Sequence, residues 1–155
     1  METVVIVDDD PSIVGALKRA LRKMPYEFVF FTDSEEALDY VFKGGALDVI
    51  ISDYRMPEID GLTFLKSVDK LHRKCVKIIM SGEADMSILQ KAINEVGIFQ
   101  FISKPWDGDE LKEAIEKAVM QQQKNLINEH LADIGRHEAI DKGSLADQWL
   151  ADQDE

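Results

Sequence analysis

Four places in the sequence carry side chains that could do chemistry together. Two adjacent carboxylates, Asp8 and Asp9, follow the apolar run Thr3-Val4-Val5-Ile6-Val7. A third, Asp53, follows Val49-Ile50-Ile51-Ser52, while Ser81 follows Val76 to Met80 and Lys104 follows Phe99 to Ser103. In a parallel sheet the C-terminal ends of the strands share one edge, where open α/β sheets place their ligand crevices. Three carboxylates gathered there repel one another and call for a cation. Oxygen-only ligands with room for water suit magnesium, a hard ion. A hydroxyl and an ammonium beside the same crevice are donors fit to hold phosphoryl oxygens. Taken singly, each residue is ordinary, since Asp is a common turn residue. The joint pattern is what carries information.

Convergence requires that the apolar runs be parallel strands, and the sequence between them supplies the crossovers. Asp10-Pro11 suits the start of a helix carrying Ile13, Leu17, Ala20 and Leu21. Phe28 to Phe31 reads as a strand, and Thr32-Asp33-Ser34-Glu35 opens a helix with Ala37, Leu38 and Val41 that Gly44-Gly45 ends. A turn bracketed by Pro57 and Gly61 leads to a helix with Leu62, Leu65 and Val68. A further helix bears Ile88, Ala92, Ile93 and Val96 and stops at Gly97. Asp107 to Glu110 resembles a capping box before Leu111, Ala114, Ile115 and Ala118. Strict alternation of strand and helix predicts a parallel sheet with helices on both faces and right-handed crossovers. After about Met120 the periodicity weakens through Gln121-Gln122-Gln123, with Leu126, Ile127, Leu131 and Ile134 more sparsely placed. The expected division is therefore residues 1–122 as the folded domain and 123–155 as a helical extension with a polar tail containing Trp149 and Leu150.

Bulk composition narrows the function classes. Of 155 residues 45% are hydrophobic, enough for a core and too many for a disordered chain. Asp and Glu number 30 against 18 Lys and Arg, a net charge of −12 that argues against direct binding of nucleic acid. No apolar run reaches membrane-spanning length, and the first strand begins without a signal-peptide pattern. The lone Cys75 has no partner for an internal disulfide. A cytoplasmic location is expected. His72, His130 and His137 lack metal-ligand spacing and are read as surface residues; Phe30, Phe31 and Phe99 are read as core.

With these residues in place, the chain resembles the receiver domain of bacterial response regulators, the phospho-accepting half of two-component signalling. The likeness runs from about Thr3 to Met120. It rests on Val-Asp-Asp at 7–9, Asp53, Met-Pro-x-x-Asp-Gly at 56–61, Ser81-Gly82 and Lys104-Pro105. It implies a doubly wound five-stranded parallel sheet of order 2-1-3-4-5, the flavodoxin-like arrangement, with a C-terminal helical extension. It implies further that Asp53 is the phosphorylated residue. Asp9, Asp53 and the backbone carbonyl of Arg55 would ligate Mg2+, with Mn2+ able to substitute, and Asp8 would act through coordinated water. Ser81 and Phe101 would be the switch pair, Lys104 would pair with carboxylate or phosphoryl oxygen, and Pro105 would follow a cis peptide. Arg55 and Glu83, each two residues beyond a site residue, would tune the lifetime of the phosphoryl group and could pair across the mouth of the site. The phosphoryl donor would be a sensor histidine kinase, a phosphotransfer protein or a small acyl phosphate.

Two other readings compete. A phosphatase of the haloacid-dehalogenase type needs an acid two residues after the strand-end aspartate, where this chain has Arg55. A pseudo-receiver that only binds partners would lack the acid pair or the lysine, and both are present. The expected molecule is thus a phospho-acceptor switch with its own phosphotransfer and autodephosphorylation chemistry rather than a conventional enzyme. Its output is open. Lys104-Pro105-Trp106 resembles receivers joined to HD-type cyclic-di-GMP phosphodiesterases or to transcription activators, whereas the Trp149-Leu150 tail favours a stand-alone receiver acting on a protein partner. The apolar residues after Ala118 are expected to form a homodimer or partner seam. Trp106 is expected near the acidic crevice.

Overall fold

The computed structural model describes the backbone of residues 1–144 and the side chains of these except 91–95 and 136–144. Trp149 and Leu150 lie outside the described residues. Among the described residues five strands alternate with five helices: β1 (Thr3–Val7), α1 (Pro11–Leu21), β2 (Glu27–Phe31), α2 (Ser34–Phe42), β3 (Val49–Asp53), α3 (Gly61–Leu71), β4 (Val76–Ser81), α4 (Glu83–Val96), β5 (Gln100–Ser103) and α5 (Gly108–Ser144). All strand pairs are parallel, in the order β2-β1-β3-β4-β5. The three central strands, β1, β3 and β4, are buried along their whole length, as their β-branched runs require.

Alternate strand residues feed two cores. Val4, Ile6, Val49, Ile51, Ile78 and Met80 face α1 and α5, meeting Leu17, Leu21, Leu111 and Ile115. Val5, Val7, Ile50 and Ile79 face α2, α3 and α4, meeting Ala37, Phe64, Leu65, Val68 and Leu89. Period-two alternation thus loads both faces of one sheet.

The helix starts are fixed by aspartates that accept orphan amide protons: Asp10 from Ser12, Asp33 from Glu35 and Asp60 from Thr63. Gly44 after α2 and Gly97 after α4 carry φ of 83° and 71°, the left-handed region that ends helices at glycine. Gly61 answers to a different demand. Its amide donates to the Tyr54 carbonyl at 2.6 Å, and a Cβ there would strike the Asp53 carbonyl oxygen. Only glycine lets α3 begin against the backbone that carries Asp53.

By contact density the chain divides into Met1–Gln122 and Gln123–Glu155. In the second unit Leu126, Ile127, Leu131 and Ile134 are exposed. No helix among the described residues is long and apolar enough to cross a membrane.

Candidate functional site

The parallel register gathers the charged strand ends. Asp53 closes β3 opposite Met80 of β4, and the next amide, Tyr54, donates to the Met80 carbonyl at 2.8 Å. Asp8 follows β1 and is fully buried; its carboxylate accepts the Asp10 amide at 3.0 Å. Lys104 follows β5, where its amide donates to the Ser81 carbonyl at 2.9 Å. Its ammonium then reaches both buried acids, lying 2.9 Å from Asp8 Oδ2 and 3.0 Å from Asp53 Oδ1. Oxygens of Asp8, Asp9 and Asp53 all lie within 4.8 Å of one another, with Asp9 the most open to solvent.

The electrostatics follow from that count of three carboxylates to one ammonium. Burial pushes the Asp53 carboxyl above its ordinary range, the hydrogen bond from Lys104 pulls back, and the charges of Asp8 and Asp9 push it up further. For Lys104 burial acts downward, but hydrogen bonds to Asp8 and Asp53 outweigh it and raise the ammonium's pKa. The cluster therefore keeps an excess of negative charge. Three carboxylate oxygens at this spacing, with one acid open to water, fit a hard divalent cation that retains several waters.

Ser81 is almost wholly buried, and its hydroxyl donates to the Gly82 carbonyl at 3.0 Å. Phe101 lies opposite Ile79 in the sheet and packs, half-buried, against the α2–α4 core. The Lys104–Pro105 peptide is cis. Trp106 packs against the other core, the one shared by α1 and α5.

Arg55 does not pair with Glu83, contrary to the expectation from spacing. Its guanidinium grips Asp85 with two hydrogen bonds of 2.7 Å, Nε to Oδ2 and Nη2 to Oδ1. Glu83 is exposed as the first residue of α4. Asp85, two residues further into the first turn, is buried and presents the carboxylate that Arg55 holds. Its carboxyl is held below the ordinary range by the hydrogen bonds from Arg55. No sequence signal singles it out, because an acid in a helix's first turn is commonplace. His72 is half-buried, with its Nδ1 covered and without a hydrogen-bond partner among the described residues. Its backbone amide caps α3 by donating to the Val68 carbonyl. His130 is exposed, and the side chain of His137 lies outside the described residues.

Residues 4–116 match the family described as the response regulator receiver domain. A hydrogenase transcriptional regulatory protein, HoxA, of Bradyrhizobium diazoefficiens is 35% identical over 117 residues, covering 76% of this chain and 24% of that protein. The DNA-binding transcriptional regulator NtrC of Klebsiella pneumoniae is 36% identical over 135 residues, covering 83% and 28%. The signal receiver domain of an HD domain-containing protein from Pseudomonas fluorescens superposes with a TM-score of 0.74 at 31% identity, covering 79% of this chain and 98% of that one. The chain belongs to the response regulator receiver family. It spans about a quarter of the length of the HoxA and NtrC proteins it matches.

Proposed function

We propose that the chain accepts a phosphoryl group on Asp53 and passes the resulting charge to the β4–α4 and β5 side of the domain. The observation that carries this is the Lys104 ammonium bridging Asp8 and Asp53 beside the open Asp9. A carboxylate attacks a phosphoryl group poorly while both partners keep their charge. Lys104 neutralises part of that charge and orients the Asp53 oxygen; the buried strand end fixes the line of approach. Asp9, Asp53 and the Arg55 carbonyl would hold Mg2+ or Mn2+, with Asp8 acting through coordinated water. A bound divalent ion supplies charge neutralisation on the transferring oxygens.

Asp53 Oδ attacks phosphorus, the bond to the donor's leaving group breaks, and an acyl phosphate remains. The donor is a sensor histidine kinase, a phosphotransfer protein or an acyl phosphate in the cytoplasm. Ser81 then turns its hydroxyl from the Gly82 carbonyl to a phosphoryl oxygen, and Phe101 follows into the space vacated. Arg55 and Glu83 tune how fast water removes the group, so that Arg55→Ala shortens the phosphorylated lifetime. Output goes to an attached domain or a downstream protein. Ile127, Leu131 and Ile134 are exposed at the four- and three-residue spacing of a coiled-coil seam, which favours a second copy of α5 as a partner. Truncation after Met120 then lowers self-association in sedimentation without affecting phosphorylation.

The decisive experiment is incubation with radiolabelled acetyl phosphate and magnesium. One phosphoryl group per chain is expected, and Asp53→Asn should abolish it. Undiminished labelling of that variant would sink the assignment of Asp53, whereas no labelling of the unmutated chain would leave the binding-only pseudo-receiver as the better reading.

A further inference from the structure

We propose that Asp85 and a phosphoryl group on Asp53 compete for the Arg55 guanidinium, so that the Arg55–Asp85 pair is a latch on α4 that phosphorylation opens. This rests on Asp53 being the acceptor. The two residues sit on either side of the site: Arg55 lies two residues past Asp53, and Asp85 four past Ser81 in the first turn of α4. Their paired hydrogen bonds at 2.7 Å tie the loop after β3 directly to the start of that helix.

The two partners differ in what separation does to them. The Arg55 side chain is 77% exposed and the Asp85 side chain only 6%. A solvated guanidinium can turn toward a new anion at little cost. A covered carboxylate left without its partner cannot stay as it is. It must take up water where the guanidinium was, and the first turn of α4 then loses its tie to the loop after β3. A phosphoryl group outbids a carboxylate here, since it carries more charge and three acceptor oxygens for the same two-pronged donor.

A second contact makes the same turn sensitive to Ser81. The Gly82 carbonyl accepts from the Ser81 hydroxyl at 3.0 Å and from the Asp85 amide at 3.1 Å. When the hydroxyl moves to the phosphoryl group, one of these bonds goes, in the turn that Arg55 is releasing. Asp85 is thus a positioning residue: it touches no phosphoryl oxygen, and acts by holding Arg55 away from one.

Competition makes a prediction that ordinary packing does not. Binding of beryllofluoride, a phosphoryl mimic, would be measured by calorimetry with magnesium present for the unmutated chain, Asp85→Ala, Asp85→Asn, Arg55→Ala and the double variant Arg55→Ala/Asp85→Ala. Removing the competitor should tighten binding about five-fold in both Asp85 variants, the lower end of usual coupling between sites. Removing the prize should weaken it, and the double variant should match Arg55→Ala, because Asp85 has no route except through Arg55. Loss of affinity in both single variants would mean that the pair only covers the mouth of the site, and would overturn the latch. Additive effects, or none, overturn it as well. Beryllofluoride binding with unchanged Asp85 variants defeats the latch alone; no binding and no labelling of the unmutated chain defeats the acceptor reading, and the latch with it.

Discussion

Lys77 and Lys104 stand near opposite ends of the sheet, and both put an ammonium against an aspartate at hydrogen-bond distance. Lys77, near the start of β4, is 3% exposed; it reaches Asp69 of α3 at 2.8 Å and donates to the Cys75 carbonyl at 3.1 Å. One cation meets one carboxylate and one carbonyl, and the charge closes. The neighbouring Cys75 thiol, pushed up to about 11 by burial, stays protonated and inert. Lys104 has the same chemistry but faces Asp8, Asp53 and the adjacent Asp9. Its surroundings do not close. Matched lysine–aspartate pairs hold a fold together, whereas mismatched ones hold a place for another ion or group.

The difference is sharpest in the response to magnesium. At a hundred times its dissociation constant, a ligand that binds only the native state adds about 2.7 kcal/mol. Urea unfolding with and without magnesium should show a gain of that size, and Asp9→Asn or Asp53→Asn should erase most of it. The Lys77 end of the sheet should not respond at all. If Asp69→Asn reduced the magnesium effect as much as Asp9→Asn, the contrast between the two ends would be broken.

A slightly smaller effect belongs to Lys77 itself. Lys77→Met keeps the length of the stem but removes the donor to Asp69 and to the Cys75 carbonyl. Hydrogen bonds to charged groups contribute about 1.5–3 kcal/mol, so a loss near 2 kcal/mol is expected, moderated because Asp69 is partly exposed. The same loss should appear with and without magnesium. A loss that magnesium relieved would mean that this pair belongs to the site after all.

The two ends also differed in how far they could be read from sequence. The Lys104 end was legible because every group there stands where an apolar run stops, and a parallel sheet aligns such stops. The Lys77 pair was not, since a lysine inside β4 interrupts the apolar run without saying which helix answers it. Arg55–Asp85 was missed for a related reason: spacing from Asp53 and Ser81 favours Glu83, and only the rotation of the first turn of α4 selects Asp85. Helix α5 runs on to Ser144 although its apolar period fades after Met120. The glutamines there are good helix formers. Gln122 is 2% exposed, with its amide 3.4 Å from Asp48, so what looked like a polar gap contains a buried contact.

The smallest expected effect concerns protons, and it separates the ends by sign. In the metal-free protein the Asp53 carboxyl titrates above its ordinary value of 3.8, chiefly because it is buried and then because Asp8 and Asp9 are charged. A carboxyl that holds its proton more tightly when folded favours the native state below the unfolded pKa, where both states are protonated. That contribution is lost as pH rises from the ordinary carboxyl range through the raised value, because the native state must then ionise against its surroundings. Asp85 and Asp10 titrate below the ordinary range and contribute in the opposite sense, so total stability hides the Asp53 component. The difference between Asp53→Asn and the unmutated chain exposes it. With magnesium chelated, the advantage of the asparagine variant should grow with pH across that window and level off above it. With magnesium added, the advantage should shrink or reverse, because the ion stabilises the ionised carboxylate. Lys77→Met, measured the same way, should show a pH-independent difference across this window. A flat Asp53→Asn profile in chelator would mean that Lys104 alone offsets the cluster, and the two lysines would then be doing the same job.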